Sequence, residues 1–410
     1  MKKISVTVAV TVLTLSITVA LAPAVFAGEG KIEQRGKVTT LVMPAQKGTP
    51  TDTLDYANAH AMPLPQANSN MLTPEMATEE EVLKLGTPGF TKGSSGDGKE
   101  FPVRLFPKEQ INLNSLEMDG AMDSGLDDVA PMEYGTANTP FTTSRVDLSS
   151  NTVSKLYPYR ASGKLFFKKP DGNTYVCSAS LIKRGLAVTA AHCVAAFGKK
   201  QFYNSWSFVP AYYDNLAPYQ SWSVSQPWVM TSYFNGTDPC QAGALGVVCK
   251  NDIAVLELTP KSGAYPGTNT GWYNYGWNGY GFTGGGLAVG AVALINQLGY
   301  PVSHDGGNRM QRTDSQGYIS NSTSVNNTIW GGRQTGGSSG GPELVNLGIG
   351  AVLSGGVGLG SEAAFNTVIG VTSWGYTNQA IKRQGASPFL STNISVLISS
   401  ACASSDPRCL

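Results

Sequence analysis

From Leu156 to the C-terminus the chain alternates short apolar stretches with turn residues, and this pattern constrains the fold more than any other feature. Residues 164–167 are followed by Lys169-Pro170-Asp171-Gly172, a strong turn signal. Further strands are predicted at residues 175–182 and 186–190. Short segments repeated over about 250 residues, in a chain with 48 glycines, predict an antiparallel all-β barrel or sandwich.

The N-terminus predicts export from the cell. Lys2 and Lys3 precede an apolar run over residues 6–19, and Val25-Phe26-Ala27 places small residues where a signal peptidase cuts. We therefore interpret residues 1–27 as a signal peptide and the mature protein as secreted and extracellular, with no membrane contact after cleavage. The alternative is a membrane anchor, because the apolar run is nearly long enough to cross a bilayer.

The charge of the chain changes sign at about residue 133. Residues 28–133 hold 17 acidic and 9 basic residues, a net charge of −8, whereas residues 134–410 hold 11 acidic and 18 basic residues, a net charge of +7. An acidic leader before a basic domain predicts a pro-segment that docks electrostatically and shields a site until it is removed. The alternative is a disordered acidic spacer without an inhibitory role. The overall net charge of +1 gives no argument for binding nucleic acid.

All six cysteines follow the leader. An even number of cysteines behind a signal peptide predicts disulfides. Sequence proximity favours the pairs Cys177–Cys193, Cys240–Cys249 and Cys402–Cys409, which is one of the connectivities that six cysteines allow. A metal site is the weaker alternative, because none of the three histidines falls in a His/Cys ligand cluster.

Candidate chemistry lies in Gly336-Gly337-Ser338-Ser339-Gly340-Gly341-Pro342. Residues with almost no side chain flank a serine, so the backbone can turn sharply and approach a substrate closely. The turn would aim the N–H groups of Gly337 and Ser339 at the space beside the hydroxyl, as in an oxyanion hole. Taken alone, a Gly/Ser run is more often a flexible loop.

Two further stretches change that interpretation, Thr189-Ala190-Ala191-His192-Cys193 and NDIAVLEL at residues 251–258. In this order the three stretches resemble the chymotrypsin-fold (trypsin-like) serine proteases, and more closely the secreted bacterial branch that includes the glutamyl endopeptidases. The resemblance implies two six-stranded antiparallel β-barrels with the active site between them. It also implies a zymogen whose pro-segment is an inhibitor or folding aid, and a Cys177–Cys193 bridge beside the catalytic histidine.

The chemistry assigns a role to each residue of the predicted triad. A serine hydroxyl needs a base, and imidazole can accept its proton near neutral pH and return it to the leaving amine. His192 is the candidate base for the Ser339 nucleophile, and Asp252 would fix the ring tautomer and stabilise the imidazolium. Gly337 and Ser339 would supply the oxyanion N–H groups. Neither a cofactor nor a metal is expected.

Substrate specificity is left open by the sequence. Counting back from Ser339 puts Arg333 at the base of the specificity pocket, where an arginine would favour an acidic P1 side chain. Against this, the stretch at residues 371–375 lacks the histidine that glutamyl endopeptidases carry there. Within it, Ser373-Trp374-Gly375 is expected to hydrogen-bond an extended substrate backbone like an added strand. Residues 341–360 are interpreted as a loop-like expansion before this wall.

Activation is expected to differ from that of vertebrate relatives. Ser338 stands where trypsin-like zymogens carry the aspartate that pairs with the new N-terminal amine, so that ion pair cannot form. The pro-segment must then act by occlusion or by assisting folding. It ends near Glu133-Tyr134, which we favour, or at Arg145-Val146, a basic–aliphatic junction like those cut in trypsin-like zymogens. The catalytic domain is accordingly placed at residues 134–410, after a pro-segment at residues 28–133.

The sequence favours a secreted serine endopeptidase that hydrolyses proteins or peptides through a covalent acyl-enzyme. The alternative is a catalytically inactive homologue that binds proteins through the same cleft, but the triad positions and the oxyanion glycine are intact. An esterase of the α/β-hydrolase type is excluded by the order His192, Asp252, Ser339, since the nucleophile comes first in that fold.

Overall fold

The computed structural model describes residues 30–44, 54–68, 76–107, 135–282, 291–321, 328–348, 364–376, 378–402 and 406–410. The predicted signal peptide, the Glu133-Tyr134 junction and residues 349–360 of the predicted loop lie outside these ranges. Within the described ranges, no helix is long and apolar enough to cross a membrane.

Strands dominate the structure, and the helices are short. The elements before residue 150 are β1 Lys31–Arg35, β2 Val38–Val42, β3 His60–Ala61, β4 Gln66–Ala67, α1 Glu79–Leu83, β5 Gly89–Thr91, β6 Arg104–Leu105 and β7 Phe141–Arg145. Those that follow are β8 Ser162–Lys168, β9 Thr174–Lys183, β10 Leu186–Thr189, β11 Ala195–Ala196, β12 Gln201–Phe202, β13 Asn204–Pro210, β14 Leu216–Ala217, β15 Trp222–Met230, α2 Thr231–Asn235, β16 Ala254–Leu258, α3 Pro266–Thr270, β17 Asn274–Trp277, β18 Val292–Gly299, β19 Gln311–Ile319, β20 Thr328–Gly331, β21 Pro342–Val345, β22 Thr367–Tyr376, β23 Arg383–Pro388 and α4 Ile394–Ala401.

Twelve of these strands close into two antiparallel six-stranded barrels. The first has the order β15-β13-β8-β9-β10-β16 and closes through the β15–β16 pair. The second has the order β21-β18-β19-β20-β23-β22 and closes through the β21–β22 pair. Closure removes the exposed edges that an open sheet would leave unpaired. The all-β, two-barrel architecture implied by the resemblance is therefore confirmed.

The barrel strands are apolar on both faces where a second layer covers them. Every residue of β16 is buried, because helix α4 packs on the outside of this strand and of β15. Asn393 starts α4 by accepting the N–H of Ile394, and the Cys402–Cys409 disulfide ties down the segment after the helix. Packing of the apolar face of a helix against a sheet is the usual source of stability for so short a helix.

The described leader residues are folded onto the two barrels. Strand β2 pairs with β15 and β3 pairs with β9 in the first barrel. In the second, β4 pairs with β22, while β5 pairs with β17 beside it. The described part of the leader thus docks on the barrels through backbone hydrogen bonds between short strands.

The prediction of a loop at residues 341–360 is wrong for residues 342–345. Residues 342–345 form β21, a strand that closes the second barrel. This strand was not predicted, because the polar Glu343 interrupts the apolar stretch and the glycines from Gly348 onward are typical of a loop. In the structure, Glu343 and Leu344 are fully buried.

Glu343 is a carboxyl group buried inside a barrel wall. Neither of its oxygens has a hydrogen-bond partner among the described residues. Gly370 lies opposite it in the sheet, and a Cβ at that glycine would stand 2.3 Å from Glu343 Oε2, so the missing side chain makes room for the carboxyl. Burial raises the pKa of Glu343 well above its ordinary value. The folded protein therefore holds this group protonated at a pH where the unfolded chain ionises it.

We predict that Glu343→Gln stabilises the chain increasingly as the pH rises. Above about pH 4.5 the unfolded chain loses the Glu343 proton, whereas the folded chain keeps it. The unfolding free energy of the wild-type protein therefore falls by about 1.4 kcal/mol per pH unit relative to that of the variant. The fall ends at the pKa of Glu343 in the folded state. Denaturant unfolding from about pH 4 to about pH 8 measures the difference in unfolding free energy between the two proteins. Glu80→Gln, at an exposed leader position, is the matched control. A pH-independent difference would contradict the account.

Candidate active site

His192 is held where a barrel strand ends. Strand β10 is fully buried and runs into a short 3-10 helix, Ala191–Cys193, which contains the histidine. The Cys177–Cys193 disulfide ties this turn to β9. The structure also contains the Cys240–Cys249 and Cys402–Cys409 pairs, which sequence proximity favours. The sulfurs of Cys177 and Cys193 lie near the imidazole as a possible ligand group, but they are joined to each other in the disulfide.

The carboxylate of Asp252 is fully buried and accepts three hydrogen bonds. The backbone N–H of His192 donates to Oδ1 at 2.8 Å, while His192 Nδ1 lies 2.7 Å from Oδ2. The hydroxyl of Ser373, on β22 of the other barrel, donates to Oδ2 at 2.6 Å. With Nδ1 turned to the carboxylate, Nε2 is the nitrogen left for proton transfer.

Asp238 holds the chain just before Asp252. It accepts the backbone N–H of Asn251 at 2.7 Å and the side-chain amide of Asn251 at 2.6 Å. Burial raises the pKa of Asp238, although these hydrogen bonds favour its charged form. No sequence pattern pointed to Asp238, because it is remote from the motif that it supports.

Ser339 lies in a tight loop packed against the histidine strand. Its carbonyl accepts the N–H of Ser178 at 2.8 Å. Gly340 has a φ of +78°, and a Cβ there would stand 1.9 Å from Thr189 Oγ1, so only glycine lets the loop approach β10 so closely. Among the described residues, neither Ser339 Oγ nor His192 Nε2 has a hydrogen-bond partner, and both atoms are buried.

Gly337 presents its N–H toward the leader. Its φ is +91°, and a Cβ would stand 2.5 Å from the carbonyl oxygen of Tyr300. The Gly337 N–H donates to the carbonyl of Met62 at 3.1 Å. Ser178 supports the loop from behind, since its hydroxyl donates to Gly337 O at 2.8 Å and accepts the N–H of Tyr300 at 2.9 Å.

A cavity beside this loop contains the predicted specificity residue Arg333. Its lining includes two further cations, Lys382 and Arg383, and no carboxylate among the described residues. The Arg383 guanidinium donates to Thr139 Oγ1 and to the carbonyl of Ala137. The full lining is Leu64, Gln66, Gly332, Arg333, Gln334, Thr335, Gly375, Tyr376, Asn378, Gln379, Lys382, Arg383 and Gln384.

The stretch Ser373-Trp374-Gly375 already carries an added strand in this structure. Gly375 donates its N–H to the carbonyl of Pro65, and β4 pairs with the end of β22. Trp374 is buried and packs edge-on against Tyr376. From the sequence, Ser373 was expected only to meet a substrate backbone. The bond from its hydroxyl to Asp252 was not predictable, because a strand pattern does not tell which side chain meets the other barrel.

The fold defines the class of the protein, the chymotrypsin-fold serine proteases. The family model described as Trypsin matches residues 150–395, and the chain belongs to this family.

Solved structures of proteases are similar to this chain. The protease Anisep from Arthrobacter nicotinovorans is 21% identical, with a TM-score of 0.42, over 60% of this chain and 96% of that one. A thermostable serine protease AL20 from an extremophilic microorganism is 20% identical, with a TM-score of 0.41, over 56% of this chain and 91% of that one. A Glu endopeptidase in complex with MPD is 15% identical, with a TM-score of 0.41, over 66% of this chain and 97% of that one. Comparison with curated proteins gives no match.

Proposed function

We propose that this protein is a secreted serine endopeptidase, made as a zymogen, in which Ser339, His192 and Asp252 form the catalytic triad. The observation that carries the proposal is the buried Asp252–His192 bond, which turns Nδ1 to the carboxylate. Among the described residues, neither Nε2 nor the buried Ser339 hydroxyl has a hydrogen-bond partner. Membership of the trypsin family supports a peptidase activity. An inactive homologue is not favoured by this arrangement, since no triad position is substituted.

The geometry supports a two-stage acyl transfer. His192 Nε2 takes the Ser339 proton as Oγ bonds to the substrate carbonyl carbon, and the carbonyl oxygen becomes an oxyanion that the N–H groups of Gly337 and Ser339 receive. The imidazolium then gives its proton to the leaving amine as the C–N bond breaks. Water then attacks the acyl carbon while His192 takes its proton, and the proton passes to Ser339 Oγ as the ester bond breaks. This step releases the acid product and restores the serine. The Asp252 carboxylate stabilises the imidazolium.

The maturation cut is proposed near Glu133-Tyr134. Residues after this junction pack on the second barrel, where Phe141 is buried and β7 pairs with β19 along its whole length. The alternative junction, Arg145-Val146, is held on both sides. Arg145 forms an ion pair with Asp305, and the N–H of Val146 donates to the carbonyl of Met310. A cut there would require β7 to leave the sheet.

We predict that a fluorophosphonate labels the processed protein at Ser339 alone. Such a reagent bonds to a serine hydroxyl that a base activates, so Ser339→Ala and His192→Ala should each abolish labelling. Peptide mapping by mass spectrometry locates the adduct, and the same digest shows whether the chain begins at residue 134. Ser387→Ala is the matched control, because this hydroxyl, on the neighbouring strand β23, donates to the carbonyl of Lys250 and to neither His192 nor Asp252. Absence of labelling in a folded, processed chain would favour the binding-protein alternative.

The charge of the cavity predicts which P1 side chains are rejected. Arg333 and Lys382 would repel a cationic P1 residue and attract a carboxylate, so peptides with Glu or Asp at P1 should be cleaved at least ~10-fold faster than those with Lys or Arg. A peptide library with one varied position measures the kcat/KM ratios. Arg333→Ala should reduce the preference, whereas Lys199→Ala, which removes an exposed cation of the catalytic domain outside the cavity, should leave it unchanged. Faster cleavage after Lys or Arg would refute this assignment of the pocket.

A further inference from the structure

Residues 60–67 of the leader, here named the cleft segment, cross the candidate active site from one barrel to the other. At one end, the N–H of Met62 donates to the carbonyl of Val176 on β9 at 2.9 Å. In the middle, the carbonyl of Met62 accepts the N–H of Gly337 at 3.1 Å. At the other end, the carbonyl of Pro65 accepts the N–H of Gly375 at 2.9 Å. The segment therefore uses groups that the proposed mechanism assigns to substrate.

The direction of the segment is opposite to that of a substrate. A substrate places in the pocket the side chain of the residue whose carbonyl reacts, and its following residues leave toward the other side. Here the carbonyl at the Gly337 N–H belongs to Met62, whereas the residues of the segment that line the cavity are Leu64 and Gln66, which come later in the chain. The residues that follow the carbonyl run toward the pocket.

The strand pairings agree with this reversed direction. All neighbouring strands within the two barrels are antiparallel, but β3 runs parallel to β9 and β4 runs parallel to β22. Both of these parallel pairs involve the cleft segment, one on each wall of the site, whereas a third parallel pair, β17 with β22, lies outside the segment. The same polarity is therefore kept along the whole crossing.

Contacts on both sides hold the cleft segment in place. Before it, Tyr56 packs on Phe106 and Phe166 with ring centroids 4.5 and 4.9 Å away. Near its end, Gln66 exchanges both backbone hydrogen bonds with Leu245, inside the loop that the Cys240–Cys249 disulfide closes. Met62 and Leu64 are themselves buried. Such anchoring lowers the conformational entropy that binding of the segment would otherwise cost.

We propose that the cleft segment is a reversed-polarity peptide ligand of the active site, and that it keeps the zymogen inactive while resisting cleavage. This inference rests on the proposed peptidase function. The Met62 carbonyl takes a hydrogen-bond donor that an oxyanion needs, and Leu64 and Gln66 cover the pocket. Because the pocket residue does not carry the carbonyl at Gly337, the segment does not present a scissile bond in the productive geometry. The peptide bond after Met62 is also a tertiary amide, because the nitrogen of Pro63 carries no hydrogen.

The first test compares how fast a fluorophosphonate labels Ser339 in the uncut and the processed protein. Uncut wild-type protein should react at least ~10-fold more slowly than processed protein. Leu64→Arg places a cation beside Arg333 and Lys382, so it should raise labelling of the uncut chain by roughly tenfold or more. Leu83→Arg makes the same substitution at an exposed leader position and should change nothing. Leu64→Ala, which adds no charge, should raise labelling in the same direction if the arginine variant does not fold.

The outcomes separate the two proposals. If the processed protein is not labelled, the proposed function fails. If processed and uncut wild-type proteins are labelled equally fast, the function stands and the cleft segment is not an inhibitor. The inhibitor proposal also fails if Leu64→Arg and Leu64→Ala both fold and leave the labelling of the uncut chain unchanged.

The second test addresses polarity in the uncut protein. A diazirine amino acid at position 64 should crosslink to residues 332–335, 375–376 or 378–384, and one at position 61 should crosslink to β9. Peptide mass spectrometry of the irradiated chain identifies the partners. Crosslinks in the inverse arrangement, with position 61 in the pocket and position 64 on β9, would overturn the reversed polarity.

Discussion

The buried carboxylate of Asp252 is the interaction on which the site depends. A charge inside a protein is stable only when hydrogen bonds replace the water that it lost. Asp252 obtains these bonds from His192, in its own barrel, and from Ser373, in the other barrel. The same bonds that satisfy the charge therefore fix the imidazole tautomer and join the two barrels at the site. Removing one partner of a buried charge typically lowers the free energy of unfolding by about 3–5 kcal/mol, because the charge is left uncompensated.

The second constraint is the close approach of the Ser339 loop to the first barrel. Gly337 and Gly340 adopt positive φ values, and in both a Cβ would collide with neighbouring backbone or side-chain atoms. Their lack of side chains lets one loop carry the candidate nucleophile and direct an amide toward the cleft. The leader binds this amide in the structure, because the Met62 carbonyl accepts the N–H of Gly337. The proposed occlusion by the leader would not need an ion-pair switch, which the sequence predicts to be missing because Ser338 stands at its position.

Much of the barrel architecture and of the candidate site was predictable from the sequence. The strands around Phe166 and Val176 follow from apolar stretches between turn residues, and the resemblance carried by TAAHC, NDIAVLEL and GGSSGGP led to the two barrels. The pairing of the cysteines followed from their proximity along the chain. These features are local, so a short window of sequence contains the information that predicts them.

What the sequence did not reveal depends on contacts between distant residues. The leader strands β3 and β4 contain two residues each, too few for a periodicity, and their partners lie more than 100 residues away in the chain, as with His60 and Tyr175. Glu343 looked like a loop residue because nothing in its neighbourhood shows that Gly370 leaves space for it inside the sheet. Likewise, the hydroxyl of Ser373 became part of the site only because the second barrel places it against Asp252.

The most direct measurement of the central claim is the mass of the processed protein after rapid mixing with an activated ester and quenching in acid. The account predicts a burst of the first product together with one acyl group per molecule, located on Ser339, because esters accumulate the acyl-enzyme. Ser339→Ala should show neither. Ester hydrolysis without any acyl adduct, or hydrolysis that persists in Ser339→Ala, would contradict covalent catalysis by this serine.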